Sequence, residues 1–266
     1  MEKYFNKDNK LNSKTKPKGK KEVKFEDENL KNITVEINTY KNEDFSSLDH
    51  IKNKDLVPGQ YEGGVKLWEC SLDLCNFLPG YLGWYDFNAL KVLELGCGHG
   101  LPGLYFLLRG AKVMFQDFNE EILEKITKNY ILQIKDRYNR DLLSQSAFIS
   151  GDWKYFSNKL EKGEFSCESL ENKKEFAMNK FDIIISADTI YNVENYESFY
   201  SVIKDKLNYP GICFVCSKKF YFGVGGGTSQ FIDFVVQKGD FCIKIVKEFN
   251  DGMSNIRQIL EIRNQN

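Results

Sequence analysis

The chain has 266 residues, of which 42% are hydrophobic and 28% charged, and its formal net charge is -1. This composition suits one large globular domain or two small ones and excludes a chain that is disordered throughout. Seven cysteines lie singly apart from the C-x-x-C of Cys213 and Cys216, which argues against a secreted disulfide framework or paired zinc knuckles and indicates a reducing compartment. With only His50 and His99 present, a histidine-rich metal site is excluded.

The first 21 residues hold eight lysines against Glu2 and Asp8, so the remainder of the chain is acidic. We expect a solvated tail here, with contact to RNA or another anionic partner as the alternative and no direct nucleic-acid binding elsewhere. No apolar run approaches the roughly 18 residues of a membrane span, and no signal-peptide core is present. These features predict a soluble monomer without a membrane partner, located in the cytoplasm, the nucleus or the nucleolus.

Residues 1–55 are rich in Lys, Asn, Glu and Ser and are predicted to be largely disordered. The alternating residues Ile33–Ile37 are the exception, since they could add an edge strand. Residues 56–266 are predicted to form one α/β domain, because strand and helix patterns alternate along them.

The apolar runs of this domain predict seven strands. Five of them precede a terminal antiparallel hairpin formed by the last two: Lys91–Leu95, Lys112–Gln116, Ala147–Ser150, Phe181–Ser186, Gly211–Ser217, Phe241–Phe249 and Ile256–Ile262. Helical spacing is found in four intervening segments: Leu101–Arg109, the stretch after Asn119, Asn195–Leu207 and Phe231–Gln237. The polar segment Ser157–Lys180 is predicted to be a surface excursion.

A glycine loop, Glu94–Gly100, directly follows the first of these strands. Glycines at this point let the backbone approach a nucleotide-type cofactor at the carboxyl end of the sheet. The loop reads G-x-G-x-G with an acidic residue two positions upstream, whereas a dinucleotide fingerprint reads G-x-G-x-x-G. Glu94 would repel a pyrophosphate but would suit the cationic amino group of S-adenosylmethionine. A glycine-rich turn with no ligand is the alternative.

Acidic residues close the next two strands. Asp117 lies where the hydroxyls of an adenosine ribose would bind a carboxylate, although it could instead start the following helix. Asp152 could accept a hydrogen bond from the adenine amine, and Trp153 would offer an aromatic face to the ring. Trp153 is almost equally compatible with ordinary core packing.

Six segments carry a more specific pattern: Tyr61–Cys70, Glu94–Gly100, Gln116–Asn119, Gly151–Trp153, Ala187–Asn192 and Tyr221–Gly227. Together they resemble the protein-histidine N-methyltransferases, which have a class I, Rossmann-like, mostly parallel seven-stranded sheet with helices on both faces and use S-adenosylmethionine. The known target of that family is a histidine of a large-subunit ribosomal protein. The resemblance covers roughly residues 57 to 263, and its narrowest parts are the segments around Trp68 and Gly225.

The resemblance implies a set of cofactor-binding residues. They are Leu67, Trp68, Glu69, Cys70, Ser71, Glu94, Gly96, Gly98, Gln116, Asp117, Phe118, Gly151, Asp152, Trp153 and Ala187. The family often has a small hydroxyl residue at the position of Ala187, so one hydrogen bond to the cofactor is in doubt. No metal is expected.

The resemblance also implies the residues that meet the substrate. Asp188, in a D-x-x-Y with Tyr191, is the candidate that accepts the N–H of one imidazole nitrogen and leaves the other nitrogen free to attack. The loop that admits the target side chain would comprise Phe222, Gly223, Gly225, Gly226 and Gly227. Without the resemblance, Asp188 could be a cap of a helix or turn, and the loop a phosphate nest or a flexible connection.

Three functions remain open at this point. The first is methylation of a protein histidine, with a large-subunit ribosomal protein as the expected substrate. The second is methylation of lysine or of a small molecule on the same fold, because Asp188 could also serve as a counter-charge for an ammonium group. The third is a catalytically silent, cofactor-binding protein of ribosome biogenesis. The C-x-x-C lies within a strand pattern and is interpreted as buried packing rather than a redox or metal site.

Overall fold

The computed structural model describes residues 20–41, 44–45, 55–57, 59–178, 180–250, 252 and 255–265. Ten strands are found in these ranges, and their bounds are as follows: β1 Lys20–Lys24, β2 Thr34–Asn38, β3 Lys91–Leu95, β4 Lys112–Asp117, β5 Ser146–Ser150, β6 Ser166–Cys167, β7 Phe181–Ala187, β8 Leu207–Lys218, β9 Phe241–Phe249 and β10 Arg257–Asn264. All seven strands expected from the sequence are present, with ends that differ by a few residues.

Eight of the strands form one sheet in the order β6-β5-β4-β3-β7-β8-β10-β9. The five neighbouring strands β5, β4, β3, β7 and β8 are parallel, and β10 lies antiparallel between β8 and β9. The terminal hairpin and the mostly parallel sheet are thus confirmed. The expected count of seven is exceeded by one, because the two-residue β6 pairs antiparallel with β5 at the edge.

Helices cover both faces of this sheet. Their bounds are α1 Glu69–Leu82, α2 Leu101–Leu108, α3 Glu120–Ile122, α4 Lys128–Tyr138, α5 Phe156–Glu161, α6 Leu170–Met178, α7 Tyr196–Lys206 and α8 Thr228–Lys238, with a π-helical turn, Leu123–Thr127, between α3 and α4. Along β3, Val92 packs in one core layer and Leu93 in the other, because successive side chains of a strand point to opposite faces.

The segment before residue 56 contains more structure than expected, which corrects the predicted division of the chain at residue 55. Strands β1 and β2 pair antiparallel and form a sheet of their own. Val35 and Ile37 of β2 are buried in the same core layer as α1, α2 and α4. Asp27 also binds the Arg109 guanidinium at the end of α2. A few apolar residues are enough to order this segment, because the large domain supplies the apolar surface against which they pack. The expectation for residues 1–19 lies outside the described residues.

The polar excursion between β5 and β7 is likewise more structured than the sequence suggests. It contains α5, β6 and α6, and three of its apolar side chains, Leu160, Phe165 and Phe176, are buried in the second core layer. A few well-spaced apolar residues therefore anchor an otherwise polar segment. None of the helices in the described ranges is both long and apolar enough to cross a lipid bilayer.

Candidate functional site

A cleft lies at the carboxyl ends of β3, β4, β5 and β7, where a parallel sheet of this type binds its ligand. Most of the residues singled out from the sequence line it. They are Leu67, Trp68, Ser71, Gly96, Gly98, Gln116, Asp117, Phe118, Gly151, Asp152, Trp153, Ala187, Asp188 and Tyr191. The cleft therefore unites side chains and loops that are separated by up to about half of the chain.

The glycine loop needs glycine for conformation as well as for space. Gly96 and Gly98 have φ angles of +61° and +49°, in the left-handed region. A Cβ on Gly96 would lie 2.6 Å from the Thr189 methyl carbon. A Cβ on Gly64, in the segment before α1, would lie 3.0 Å from Ile122 and 3.3 Å from an Asp117 oxygen. Small residues thus keep three chain segments close together at the floor of the cleft.

Gln116 fixes the relative positions of the loops that follow β3 and β5. Its Oε1 accepts hydrogen bonds from the Gly96 N–H at 3.0 Å and the Trp153 Nε1–H at 2.7 Å, and its Nε2 donates to the Gly151 carbonyl at 2.8 Å. The Trp153 ring also packs 5.0 Å from the Phe199 ring. The buried Gln116 side chain therefore holds the loops of the cleft in position. Trp153 both lines the cleft and packs against the core.

Asp117 is buried at the end of β4 and lines the cleft. Its Oδ2 accepts from the Gly98 N–H at 2.9 Å, and its Oδ1 accepts from the Asn119 N–H at 3.1 Å. Burial raises the pKa of Asp117 to about 6, against these two hydrogen bonds, which favour the ionised form. Each oxygen of the Asp117 carboxylate therefore keeps a further lone pair at the wall of the cleft.

His99 was not among the predicted site residues, although it lies in the glycine loop and lines the cleft. Its Nδ1 is 2.9 Å from the Tyr130 hydroxyl, and its Nε2 is 3.0 Å from the Val65 carbonyl. Burial lowers the pKa of His99 to about 4, so the ring is neutral at pH 7. Because a carbonyl accepts only, Nε2 carries the proton, and His99 ties the loop to the segment before α1.

Asp188 follows β7 in a left-handed conformation, with φ of +56°. Its Oδ2 accepts from the Cys70 N–H at 3.1 Å, its Oδ1 accepts from the Tyr221 hydroxyl, and its own N–H donates to the Cys216 carbonyl at 2.9 Å. Burial raises the pKa of Asp188, while the bonds from Tyr221 and Cys70 act in the opposite direction. Tyr221 was quoted in a sequence motif but was missed as a site residue.

Tyr191 lies on the same side of the cleft, three residues after Asp188. Its hydroxyl donates to a carboxylate oxygen of Glu62, which also lines the cleft and was missed by the sequence analysis. Burial and the Glu62 carboxylate raise the pKa of Tyr191 above its usual value, so the phenol stays protonated. Tyr191 therefore offers a fixed polar group at the wall rather than a base.

Trp68 stands at the start of α1, and its ring is held by the residues around it. The indole N–H donates to the Gly63 carbonyl at 2.9 Å. The ammonium groups of Lys66 and Lys218 lie 4.5 Å and 5.9 Å from the ring centroid. Lys66 also forms an ion pair with Asp55 at 2.6 Å. Neither lysine was predicted as a site residue, because a lone lysine carries no recognisable spacing.

Three of the predicted cofactor-binding residues lie outside the cleft. The Glu94 carboxylate is buried beneath the glycine loop, where it accepts from the Gly103 N–H at 2.8 Å and so caps α2. Glu69 is exposed and faces Arg257 at 3.6 Å. The Cys70 side chain is fully buried, and its backbone N–H holds Asp188. Glu94 was thus expected to bind the cofactor, whereas its carboxylate binds the first turn of α2.

Both cysteines of the C-x-x-C pack in the interior. Cys213 belongs to one core layer and Cys216 to the other, as expected for residues three apart in a strand. Cys216 lies close to Cys70 and Asp73, with potential ligand atoms within 4.8 Å of one another. Asp73, however, already binds the Arg257 guanidinium at 2.6 Å, and this cation disfavours a metal ion there.

The predicted substrate loop lies beside the cleft rather than in its lining. Phe222, Gly223 and Gly225 are exposed, whereas Gly226 and Gly227 are buried. A Cβ on Gly226 would come within 2.4 Å of the Tyr191 carbonyl, and one on Gly227 within 2.4 Å of a backbone oxygen. The two inner glycines therefore seat the loop against the residues that follow β7, and the outer three are available to a partner.

Comparison with solved structures defines the class of the fold. The magnesium protoporphyrin IX methyltransferase of Synechocystis PCC 6803, crystallised with S-adenosylhomocysteine, superposes with a TM-score of 0.52 at 14% identity over 73% of this chain and 83% of that one. A second structure of the same enzyme, with S-adenosylmethionine, has a TM-score of 0.50. This chain thus has the fold of a class I methyltransferase.

Sequence comparison defines the family. A histidine protein methyltransferase 1 homologue of Dictyostelium discoideum is 42% identical over 211 residues, covering 79% of this chain and 61% of the relative. The Bos taurus homologue is 33% identical and covers 79% of this chain and 58% of the relative. By sequence, this domain belongs to the histidine protein methyltransferase 1 homologues. The chain spans about three fifths of the length of these curated relatives. A family model described as lysine methyltransferase matches residues 53–148.

Proposed function

We propose that this domain transfers the methyl group of S-adenosylmethionine to an imidazole nitrogen of a histidine in a protein substrate. The names of the similar relatives support this activity. The structural observation that carries it is Asp188, a buried carboxylate at the wall of the cleft whose two oxygens are oriented by a backbone N–H and a tyrosine hydroxyl. A neutral imidazole has one N–H, which the Asp188 carboxylate can accept, and one nitrogen lone pair, which stays free to attack.

The cleft residues fit S-adenosylmethionine. Each oxygen of Asp117 accepts one backbone N–H and keeps a lone pair for one of the two ribose hydroxyls. Gly151 and Trp153 line the part of the cleft beyond β5, where they would flank the adenine. The Ser71 hydroxyl oxygen is buried and has no hydrogen-bond partner among the described residues. It is available to a polar atom at the methionine end of the ligand.

When bound, S-adenosylmethionine supplies an activated methyl group on a sulfonium. The task of the chain is to hold the acceptor in line and to exclude water. Asp188 would accept the N–H of one ring nitrogen, which leaves the lone pair of the other nitrogen to attack. Because a free imidazole has a pKa of about 6.5, most of it is already neutral at pH 7, and a strong base is unnecessary. Transfer would replace the sulfur–methyl bond with a nitrogen–methyl bond and release S-adenosylhomocysteine. The ionised Asp188 would stabilise the cationic ring until its N–H proton passes to solvent.

The loop of Phe222, Gly223 and Gly225 is the proposed docking point for the substrate protein. Its exposed aromatic side chain lies directly after Tyr221, whose hydroxyl holds Asp188. Tyr191 and Glu62 would line the path of the acceptor side chain into the cleft. A docked protein at this loop would therefore place its acceptor near the Asp188 carboxylate.

Methylation of a lysine is the second candidate function, and the family model described as lysine methyltransferase favours it. Asp188 would then be a counter-charge for the ammonium group. A small-molecule acceptor and a silent cofactor-binding role are the remaining alternatives, since a fold does not fix an activity.

The identity and place of the substrate are also proposals. The resemblance in sequence favours a large-subunit ribosomal protein, and the lysine-rich residues 1–21 suit a cytoplasmic and nuclear, including nucleolar, location. A monomer with no membrane partner is expected. Imaging of the tagged chain with and without residues 1–21 tests the location, because a tail that acts as an address is required for nuclear or nucleolar signal.

The activity is tested by incubating the purified chain and labelled S-adenosylmethionine with whole-cell protein from cells that lack its gene, followed by amino-acid analysis. Labelled methylhistidine is expected. Asp188→Asn should reduce the yield by about 100-fold or more, and Asn tolerates the left-handed backbone at this position. Asp240→Asn is the matched control, because Asp240 also accepts from a tyrosine hydroxyl, that of Tyr200, but lies outside the cleft. Methyllysine alone, or cofactor binding without any transfer, would contradict the proposal.

A further inference from the structure

The charges around the acceptor side of the cleft are unevenly paired. Lys218, the last residue of β8, has its ammonium 5.9 Å from the Trp68 ring centroid and 5.7 Å from that of Tyr221. Within the described ranges of the chain, no carboxylate oxygen lies within ion-pair distance of this ammonium. Its charge nevertheless acts on Asp188, because it favours the ionised form of that carboxyl.

We infer that Lys218, together with the Trp68 ring, excludes a positively charged lysine ammonium from the acceptor position and restricts the site to neutral nitrogen nucleophiles such as imidazole. This inference rests on the proposed function and specifies the class of its acceptor. It makes Lys218 a specificity-determining residue rather than a member of the catalytic group.

The first argument is the charge balance beside Asp188. A lysine acceptor enters as an ammonium, and a lone buried carboxylate would attract it. Here the Lys218 ammonium already favours the ionised form of Asp188, and it lies over the ring of Tyr221, whose hydroxyl binds that carboxylate. Arg257 lies opposite Lys218 in the pairing of β10 with β8, and its guanidinium is bound by Asp73. A lysine acceptor would therefore enter as a cation beside a cation, whereas an imidazole enters neutral and becomes positive only on methylation.

The second argument is the aromatic surface. Trp68 lines the cleft, and an indole face is the strongest cation–π partner that a side chain can offer to an alkylammonium. Two ammonium groups of the chain itself, those of Lys66 and Lys218, already lie within 6 Å of this ring. Asp55 balances the charge of Lys66, so the charge of Lys218 is the one that opposes the approach of a third ammonium. The same ring still offers dispersion contacts to a flat, uncharged imidazole.

The test measures the ratio of labelled methyllysine to labelled methylhistidine formed in whole-cell protein from cells that lack the gene. Lys218→Met should raise this ratio about tenfold, because the like-charge repulsion is removed. Lys218→Arg keeps the charge and should leave the ratio at the wild-type value. Lys219→Met is the matched control: it removes the neighbouring charge, whose ammonium lies over the Phe220 ring, and should change nothing. Lys218→Gln repeats the neutralisation should the Met variant fold poorly, as judged by its melting temperature.

The outcomes separate this inference from the proposed function. Wild-type methylhistidine with an unchanged ratio in both neutral variants would overturn the role of Lys218 and leave the proposed function intact. An equal rise in Lys219→Met would overturn it too, because the effect would then be one of general surface charge. Methyllysine as the wild-type product would overturn both, since a site that accepts an ammonium beside Lys218 is not one that excludes it.

Discussion

Replacement of Asp117 by Asn should weaken the binding of S-adenosylmethionine and remove its dependence on pH. In the wild-type chain the carboxylate oxygens hold the Gly98 and Asn119 N–H groups and, by proposal, the ribose hydroxyls. An Asn side chain can accept through one oxygen only and presents an N–H₂ group to one of these donors. Hydrogen bonds to a charged group contribute about 1.5–3 kcal/mol, so the dissociation constant should rise roughly 10- to 150-fold.

The pH dependence follows from the pKa of Asp117, which burial raises to about 6. If the ionised form binds, affinity is lost as the pH falls through this value. About one carboxyl in eleven is ionised at pH 5 and about ten in eleven at pH 7, so the wild-type dissociation constant should be roughly tenfold larger at pH 5. His99 does not contribute to this step, because its pKa of about 4 keeps the ring mainly neutral over the range.

Isothermal titration of the purified chain with S-adenosylmethionine at pH 5, 6 and 7 measures both effects. Asp117→Asn should bind weakly at all three values. Asp152→Asn, a second Asp-to-Asn change in the same cleft, should retain the step near pH 6. Wild-type affinity that is equal at pH 5 and pH 7, or a tenfold step that survives in Asp117→Asn, would refute the role assigned to Asp117.

Two further predictions concern folding and the shape of the site. Gly96→Ala should abolish cofactor binding measured by titration, because φ is +61° and the new Cβ would lie 2.6 Å from the Thr189 methyl; normal affinity would show that the loop can relax. Arg109→Met should lower the free energy of unfolding in urea by about 3 kcal/mol, because it leaves the buried Asp27 unpaired. Burial raises the pKa of Asp27, but the Asn29 N–H and Arg109 outweigh it and lower the pKa. This stabilisation is present above pH 4 and lost as the pH falls through the lowered pKa, so the difference between wild type and variant should shrink there. Lys31→Met, which removes an exposed ion pair, should stay within about 0.5 kcal/mol of wild type.

The sequence predicted the central strands well, because a short and continuous apolar run is typical of a buried parallel strand. Lys91–Leu95 is found with its predicted bounds, and the hairpin β9–β10 has the predicted antiparallel pairing. The glycine loop was equally informative, since a left-handed conformation between a strand and a helix favours glycine.

Other features depended on partners that are distant in the chain. Strand β2 is short and sparsely apolar, and it is buried because α4 and neighbouring elements cover it. Glu94 carries the same carboxyl group as Asp117, yet one caps α2 from below and the other faces the cleft. Such a difference depends on which side of the sheet a residue occupies and on what packs there.

The sequence by itself therefore determined the α/β class, the order of the elements and the loops that line the cleft, because these follow from local periodicity and from conformations that only certain residues adopt. Only the tertiary structure decided which side chains act together. The Asp188 carboxylate meets the Cys70 N–H, 118 residues away, and the Tyr221 hydroxyl, 33 residues away. Lys218, at the end of β8, reaches the ring of Trp68, at the start of α1. These contacts depend on how the helices and strands pack against one another, so no local sequence pattern predicts them.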